Sequence, residues 1–384
     1  MFVSRLAKLD VVHEARTPEE RHAVYAFRYA VYVEELGKEL PGVDHERRVV
    51  VDDDDEADTS TILYTGSLDA VTSTVRIRAW PPVRVPGDVV DMFSLSLFPG
   101  IEDTTISEVG RLMIRPGLRG KLLLPALVRE IYERSVQAGV DLAFCYCAPG
   151  LVRHYRKLGF RPYAAPLVPD SDGLHVPMVA ILSDAGYLKS VCSPTASLVS
   201  KYYGRGAGKR RPFDVATLGG LLDPASATVE LGSDKIWQEV QDGLMQHHTG
   251  SPILEGLTDA EVRKLTAKGF MIKVDAGTLV TRTGNGEREM FVVLDGALEV
   301  RTESDLRLDV LGTGELFGEL AFFRDDGRRT ATVAALSECH LLVIRRRFLD
   351  ELARTDPKLA LHLHFNLGRI LAERLVRVER RVQI

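Results

Sequence analysis

The chain has 384 residues, 45% hydrophobic and 27% charged, with a formal net charge of −5, which calls for two or three domains with sizeable cores and excludes a uniformly basic nucleic-acid binder. No apolar run reaches the ~20 residues of a membrane helix, and the N-terminus lacks the apolar core of a signal peptide. Four cysteines in a chain this long make no disulfide framework, so a reduced, cytoplasmic protein is expected.

Residues 18–37 read as a helix, with Thr17 as cap, Pro18 in the first turn and Glu20 three after the cap. Arg28 falls inside an apolar run of that helix, and a buried arginine must be paired. The acidic run 51–58 reads as a solvated loop. Residues 61–65 and 71–78 are rich in β-branched side chains and read as strands.

Residues 106–163 spell strand, cationic glycine loop, helix, strand, helix. The loop 116–121 opens a helix whose free N–H groups suit a phosphate. Cys145 and Cys147 are read as buried thiols on opposite faces of the second strand, with no metal site. Residues 201–212 are basic and glycine-rich and read as a linker.

After residue 236 a capped helix at 259–268 precedes short strands at 270–274, 279–283, 290–294, 297–301 and 306–311, with strands at 332–335 and 340–344 completing a small barrel or jelly roll. A long final helix, 358–382, places Leu359, Leu363, Leu367, Ile370, Leu371 and Leu375 on an apolar face.

Between the strands lies Phe317-Gly-Glu-Leu-Ala-Phe-Phe-Arg-Asp-Asp-Gly-Arg-Arg-Thr-Ala-Thr-Val333. A guanidinium grips two oxygens of a phosphodiester, while a carboxylate suits a sugar hydroxyl. The run resembles the phosphate-binding cassette of the cyclic-nucleotide-binding domain family. The resemblance implies that Glu319 takes the ribose 2′-hydroxyl and Arg329 the cyclic phosphate, with Arg328 replacing it in a register one residue shorter. Thr330 would add a hydroxyl, and Phe317, Gly318 and Leu320 would line the pocket. The ten-residue spacing from Glu319 to Arg329 is similar to that of catabolite activator proteins, which points to cyclic AMP, while Thr330 leaves cyclic GMP open. The last helix would act as lid or as a homodimer contact.

In the first half, Arg119-Gly120-Lys121 resembles the start of the pyrophosphate loop of GNAT N-acyltransferases, and His154-Tyr155-Arg-Lys-Leu-Gly-Phe160 their late helix and strand. Leu122 and Leu124 stand where acetyl-CoA users have small residues. Phe27-Arg-Tyr-Ala-Val-Tyr-Val-Glu-Glu-Leu-Gly37, the Asp-rich run, Thr74-Val-Arg-Ile77 and Glu108-Val-Gly-Arg111 resemble, in order, acyl-homoserine-lactone synthases and N-acyl amino acid synthases. Gly173-Leu-His-Val-Pro-Met178 and Cys192-Ser-Pro194 are similar to the second group, and the absence of an aromatic near Lys38 argues against a lactone product.

The resemblance implies a buried ion network of Arg28, Asp55, Arg76, Glu108 and Arg111 around an amine acceptor. Glu108 would assist proton removal, Tyr155 would protonate a leaving thiolate, and Met113, Ile114, Arg119, Gly120 and Lys121 would bind the acyl donor, an acyl-CoA or an acyl carrier protein. The expected fold is α+β in two domains: a GNAT-like α/β/α mixed sheet at 1–200, a linker at 201–235, and a β-jelly-roll with flanking helices at 236–384. The expected function is a cyclic-nucleotide-regulated N-acyltransferase with a small amine acceptor, no metal and no nucleic-acid partner. The alternative is a non-catalytic nucleotide sensor whose first half binds an acyl ligand or a protein.

Overall fold

A computed structural model describes residues 11–36, 40, 42–119, 123–165, 167–170, 173–222, 229–230, 236–238, 240–241, 251–284, 289–324 and 327–382. Two compact units result: Met1–Val168 with His175–Ala227, and Thr228–Ile384 with Pro169–Leu174.

The first unit is built on one mixed sheet. Its elements are β1 (Val12–Glu14), α1 (Pro18–Tyr29), β2 (Ser60–Ser67), β3 (Ala70–Trp80), β4 (Ile106–Ile114), α2 (Leu123–Gln137), β5 (Leu142–Cys147), α3 (Val152–Leu158), β6 (Arg161–Pro162), β7 (Val168–Asp170) and β8 (Gly173–Ile181). The spatial order is β1-β2-β3-β4-β5-β8-β6, with β7 against β8. Every neighbouring pair for which a register is defined runs antiparallel except β4 and β5.

Helix α1 starts where the sequence says. Thr17 Oγ1 accepts from the Glu20 amide at 3.2 Å, and the Glu20 carboxylate accepts from the Thr17 amide at 2.9 Å. The expected helix to residue 37 changes character at Ala30–Glu35, which widens into a π-helical turn. Val24, Tyr25, Phe27 and Val31 bury one helix face against Ile62, Tyr64, Val71 and Met113. A second core holds Phe93, Phe98, Phe144, Tyr163 and Leu218.

Leu218 corrects the reading of 201–235 as a linker, since it is 1% exposed in that core. The basic stretch before it is also docked. Arg210 donates to the Val140, Gly139 and Asp141 oxygens at 2.7–2.9 Å, and Lys201 pairs with Glu133 at 2.6 Å. Charge-run statistics favour a solvated loop; here the acids on α2 and before β5 capture the cations instead. Cys145 and Cys147 share one face of β5, because strand alternation repeats every second residue, so the opposite-face expectation fails.

The second unit contains α4 (Asp259–Lys268), β9 (Phe270–Val274), β10 (Leu279–Thr281), β11 (Glu289–Asp295), β12 (Leu298–Arg301), β13 (Arg307–Leu311), β14 (Leu316–Phe317), α5 (Glu319–Phe323), β15 (Thr332–Ala335), β16 (Cys339–Arg345), α6 (Arg346–Thr355) and α7 (Pro357–Val382). Two sheets form a β-jelly-roll, one ordered β9-β16-β11-β14 with Val229–Glu230 beside β9, the other β10-β15-β12-β13. Met290, Val292, Leu342 and Ile344 pack with Leu359, Leu363, Leu367 and Ile370 of α7, so the apolar stripe read from sequence is the buried one, though Leu375 at its far end is 60% exposed. Among the described residues no helix is long and apolar enough to cross a membrane.

Candidate functional sites

In the first unit the acidic run is not a solvated loop. Residues Asp53–Glu56 form a tight turn capped by Asp52, and Asp55 is fully buried. Its carboxylate lies 2.5 Å from Nη1 of Arg28, itself 0% exposed, and 3.4 Å from Arg76. Burial works against the Asp55 charge, but Arg28 and Arg76 outweigh it and hold this carboxyl below its usual range.

Strand alternation places Arg76 and Arg78 on one face of β3, opposite Gly110 and Glu108 of β4. Arg78 grips Glu108 Oε2 with Nε and Nη2, and its Nη1 reaches Asp54 at 2.5 Å. Glu108 Oε1 lies 4.0 Å from Arg76 Nη2. Arg111 would point to the opposite face in a regular strand. Instead the register slips between Thr74 and Arg76, Arg111 takes φ +53°, and its guanidinium binds both Asp52 oxygens at 2.6 Å. The bulge is therefore what brings Arg111 into the cluster. Four arginines (28, 76, 78, 111) thus face four acids (52, 54, 55 and Glu108), and the charges balance.

Beyond Glu108 the parallel ladder between β4 and β5 ends; its register runs only from Ile106↔Leu142 to Glu108↔Phe144, although β4 continues to Ile114. The Arg115 backbone amide donates to Thr72 O at 2.8 Å, so alternation turns the Ile114 amide away from β3; the Ile114 carbonyl accepts from Arg119 Nε at 3.1 Å. Tyr155, on α3, interacts electrostatically with Cys145, Cys147, Tyr32 and Tyr146, and burial with those neighbours raises its phenol well above the ordinary range. Tyr32 in turn lies beneath the Arg111 guanidinium, 5.7 Å from ring centre to Cζ. Met113 is buried in the core beneath α1. Arg119 is exposed and holds Glu35 through two contacts of 2.6 and 2.8 Å. Gly120 and Lys121 lie outside the described residues.

In the second unit a cavity of about 330 Å³ is walled by the cassette, by β12 and β13, and by α7. Glu319 is 3% exposed and paired with Arg374 of α7, whose other nitrogen reaches Leu316 O. Arg329, also 3% exposed, donates to Glu289 O at 2.7 Å and Gly318 O at 3.2 Å and stands over the Phe291 ring at 5.5 Å. Phe291 stacks on Phe317 at 4.8 Å, which fixes that platform. Leu320 and Thr330 line the same cavity, whereas Arg328 donates to Gly284 O at 3.3 Å and is not among its walls. Gly318 sits at φ +84°, and an added Cβ would stand 2.4 Å from Arg329 Nη1 and 2.9 Å from Glu289 O. Gly318→Ala is accordingly expected to displace Arg329 and weaken nucleotide binding at least ~10-fold, read by calorimetric titration with cyclic nucleotide; unchanged affinity would show that Arg329 does not need this seat.

Residues 23–184 match the family N-acyl amino acid synthase FeeM, and residues 271–356 match the cyclic nucleotide-binding domain family. The chain joins an N-acyl amino acid synthase domain to a cyclic nucleotide-binding domain. Curated relatives include Glutaminase 1 of Bradyrhizobium diazoefficiens, 27% identical over 43% of this chain and 27% of its own length. Another is the cyclic AMP receptor protein of Thermus thermophilus, 34% identical over 33% of this chain and 58% of its own. The chain therefore spans less than two thirds of either relative. Among solved structures, the Thermus thermophilus catabolite activator protein aligns at 28% identity and TM-score 0.31, covering 35% of this chain and 62% of that one.

Sequence reasoning found Arg28, Asp55, Arg76, Glu108 and Arg111 of the synthase domain, and the structure brings them together. It missed Asp52, Asp54 and Arg78. The spacing of Arg76 and Arg78 on a strand was an available signal, since residues two apart share a face. In the nucleotide-binding domain it missed Arg374, which no local pattern reveals because its partner Glu319 is 55 residues away.

Proposed function

We propose that the protein is an N-acyltransferase of GNAT-like architecture that moves an acyl group from a thioester, on coenzyme A or an acyl carrier protein, to the amine of a small acceptor such as an amino acid, and that a cyclic purine nucleotide sets its activity. The observation that carries this reading is Glu108 standing where β4 parts from β5, on a strand whose Ile114 amide is turned away from β3.

The acceptor nitrogen attacks the thioester carbonyl carbon, the oxygen charge is held by the outward Ile114 amide, and the C–S bond then breaks. Glu108 Oε1, left by Arg78's hold on Oε2, receives the amine proton directly or through water. Tyr155, kept protonated by burial, supplies a proton to the departing thiolate. Arg28, Arg76, Arg111 and Asp55 hold the acidic turn and Glu108 in place and offer charge to the acceptor's polar groups. Arg119, released from Glu35, and Gly120 and Lys121 would face the donor's phosphate groups.

In the nucleotide-binding domain, Arg329 takes the cyclic phosphate and Glu319 the ribose 2′-hydroxyl, with Phe317, Gly318, Leu320 and Thr330 around them. Arg328 is the alternative phosphate ligand of the sequence, and its place outside the cavity wall favours Arg329. Because Glu319 is already held by α7, ligand entry acts on that helix; this supports α7 as lid, and its exposed Leu361 and Phe365 support it as a homodimer contact.

Incubating the purified full chain with amino acids and a long-chain acyl thioester, with and without cyclic nucleotide, is expected to yield an N-acyl product by mass spectrometry. Nucleotide shifts the rate by about 5–150-fold, the range of ordinary coupling energies. Nucleotide binding without product from either donor class would favour the non-catalytic sensor.

A further inference from the structure

We propose that this pocket selects guanine over adenine, through an Asp309–Arg377 pair at the end opposite the phosphate; the inference rests on the cyclic-nucleotide reading above. Arg377 follows Arg374 by three residues on α7, roughly 4.5 Å along the helix from the ribose acid's partner. Its Nη1 lies 3.8 Å from Asp309 Oδ2, and both residues wall the cavity.

The sheet places Asp309 far from the cassette. Cross-strand register aligns Asp309 of β13 with Val300 of β12 and Val333 of β15 in one row. Two strand spacings, about 10 Å, separate Asp309 from β15, the strand that Arg329 and Thr330 precede in the chain. Val300 and Val333 floor the cavity between them. A nucleotide with its phosphate on Arg329 and its ribose on Glu319 thus presents its base to Asp309 and Arg377.

The two bases meet that pair differently. Guanine offers N1–H and the N2 amino group side by side, two donors for one carboxylate, and O6 with N7, two acceptors for one guanidinium. A guanine between the side chains replaces a long, half-exposed ion pair by two charge-assisted double contacts. Adenine offers the carboxylate one donor, N6, beside an acceptor, N1, and offers the guanidinium one acceptor, N7, beside the N6 donor. Each side chain then meets one matched and one repelling atom. The activator-like spacing that pointed to cyclic AMP concerns only the loop around the phosphate, so it does not bear on the base.

The experiment is calorimetric titration of the full chain, and of its Asp309→Asn and Arg377→Met variants, with cyclic GMP, cyclic AMP and cyclic IMP. The wild type is expected to bind cyclic GMP at least about 10-fold more tightly than cyclic AMP, with cyclic IMP between them because it lacks the N2 amino group. Both variants are expected to lose most of that ratio while still binding cyclic AMP. Equal affinities, a preference for cyclic AMP, or a guanine preference that survives in both variants overturns the proposal and leaves the pocket assignment standing. Binding of none of the three overturns the pocket assignment and this proposal with it.

Discussion

Replacing Glu108 by Gln lowers acyl transfer about 100-fold or more while leaving the synthase domain folded. The substitution keeps the side-chain shape and an oxygen for Arg78, but its neutral amide cannot take the amine proton. Arg78 keeps Asp54 at 2.5 Å, and Arg76 keeps Asp52 at 3.2 Å and Asp55 at 3.4 Å, so no arginine is left alone in the cluster. The stability cost is then nearer ~1–2 kcal/mol than the ~3–5 kcal/mol of a stranded buried charge. Turnover measured beside a thermal melt separates the two effects. A folded variant with undiminished turnover removes Glu108 from the proton path.

Replacing Arg329 by Ala weakens nucleotide binding by about 100-fold or more and leaves basal acyl transfer unchanged. The guanidinium is almost fully buried, donates to two carbonyls of the cassette and its neighbouring strand, and stands on the Phe291 platform, so its position is set before ligand arrives. Lysine at this position restores charge but not the two-oxygen grip, and is expected to recover only part of the affinity. Titration and acyl-transfer assays on the same preparations decide the matter. Unaltered affinity in the alanine variant excludes Arg329 as the phosphate ligand, and lost basal activity shows that the substitution reaches beyond the pocket.

The two variants also test how the domains divide the work. Loss of nucleotide response with preserved turnover at Arg329, and the converse at Glu108, is the pattern of an input and an output. A nucleotide can move acyl transfer only by its differential affinity for two states of the protein, so the Arg329 variant sits near the unliganded rate at nucleotide concentrations that just saturate the wild type, whatever the sign of regulation.

Elements with local signatures were legible in the chain itself. The capping box at Thr17 and Glu20, the strands around the cassette and the apolar stripe of α7 follow from patterns a few residues long, and the structure reproduces them within a residue or two. The cassette, too, is one contiguous run. By contrast, the acidic run 51–58 reads as solvated because its partners are remote: Arg28 lies on a helix before it, and Arg76, Arg78 and Arg111 on strands after it. The basic run near 201–212 was misread for the same reason, its anchors being Glu133 and Asp141.

By itself, then, the sequence determined that the chain has two domains of different kinds and which segments form helix and strand. Those are consequences of hydrophobic period, caps and contiguous motifs, all short-range. Only the tertiary structure decided that four acids and four arginines neutralise one another in one cluster, because a bulge at Arg111 and the meeting of α1, the acidic turn, β3 and β4 bring them together. It alone placed Arg374 on Glu319 and Arg377 beside Asp309, because no periodicity within α7 records which strand the helix will meet.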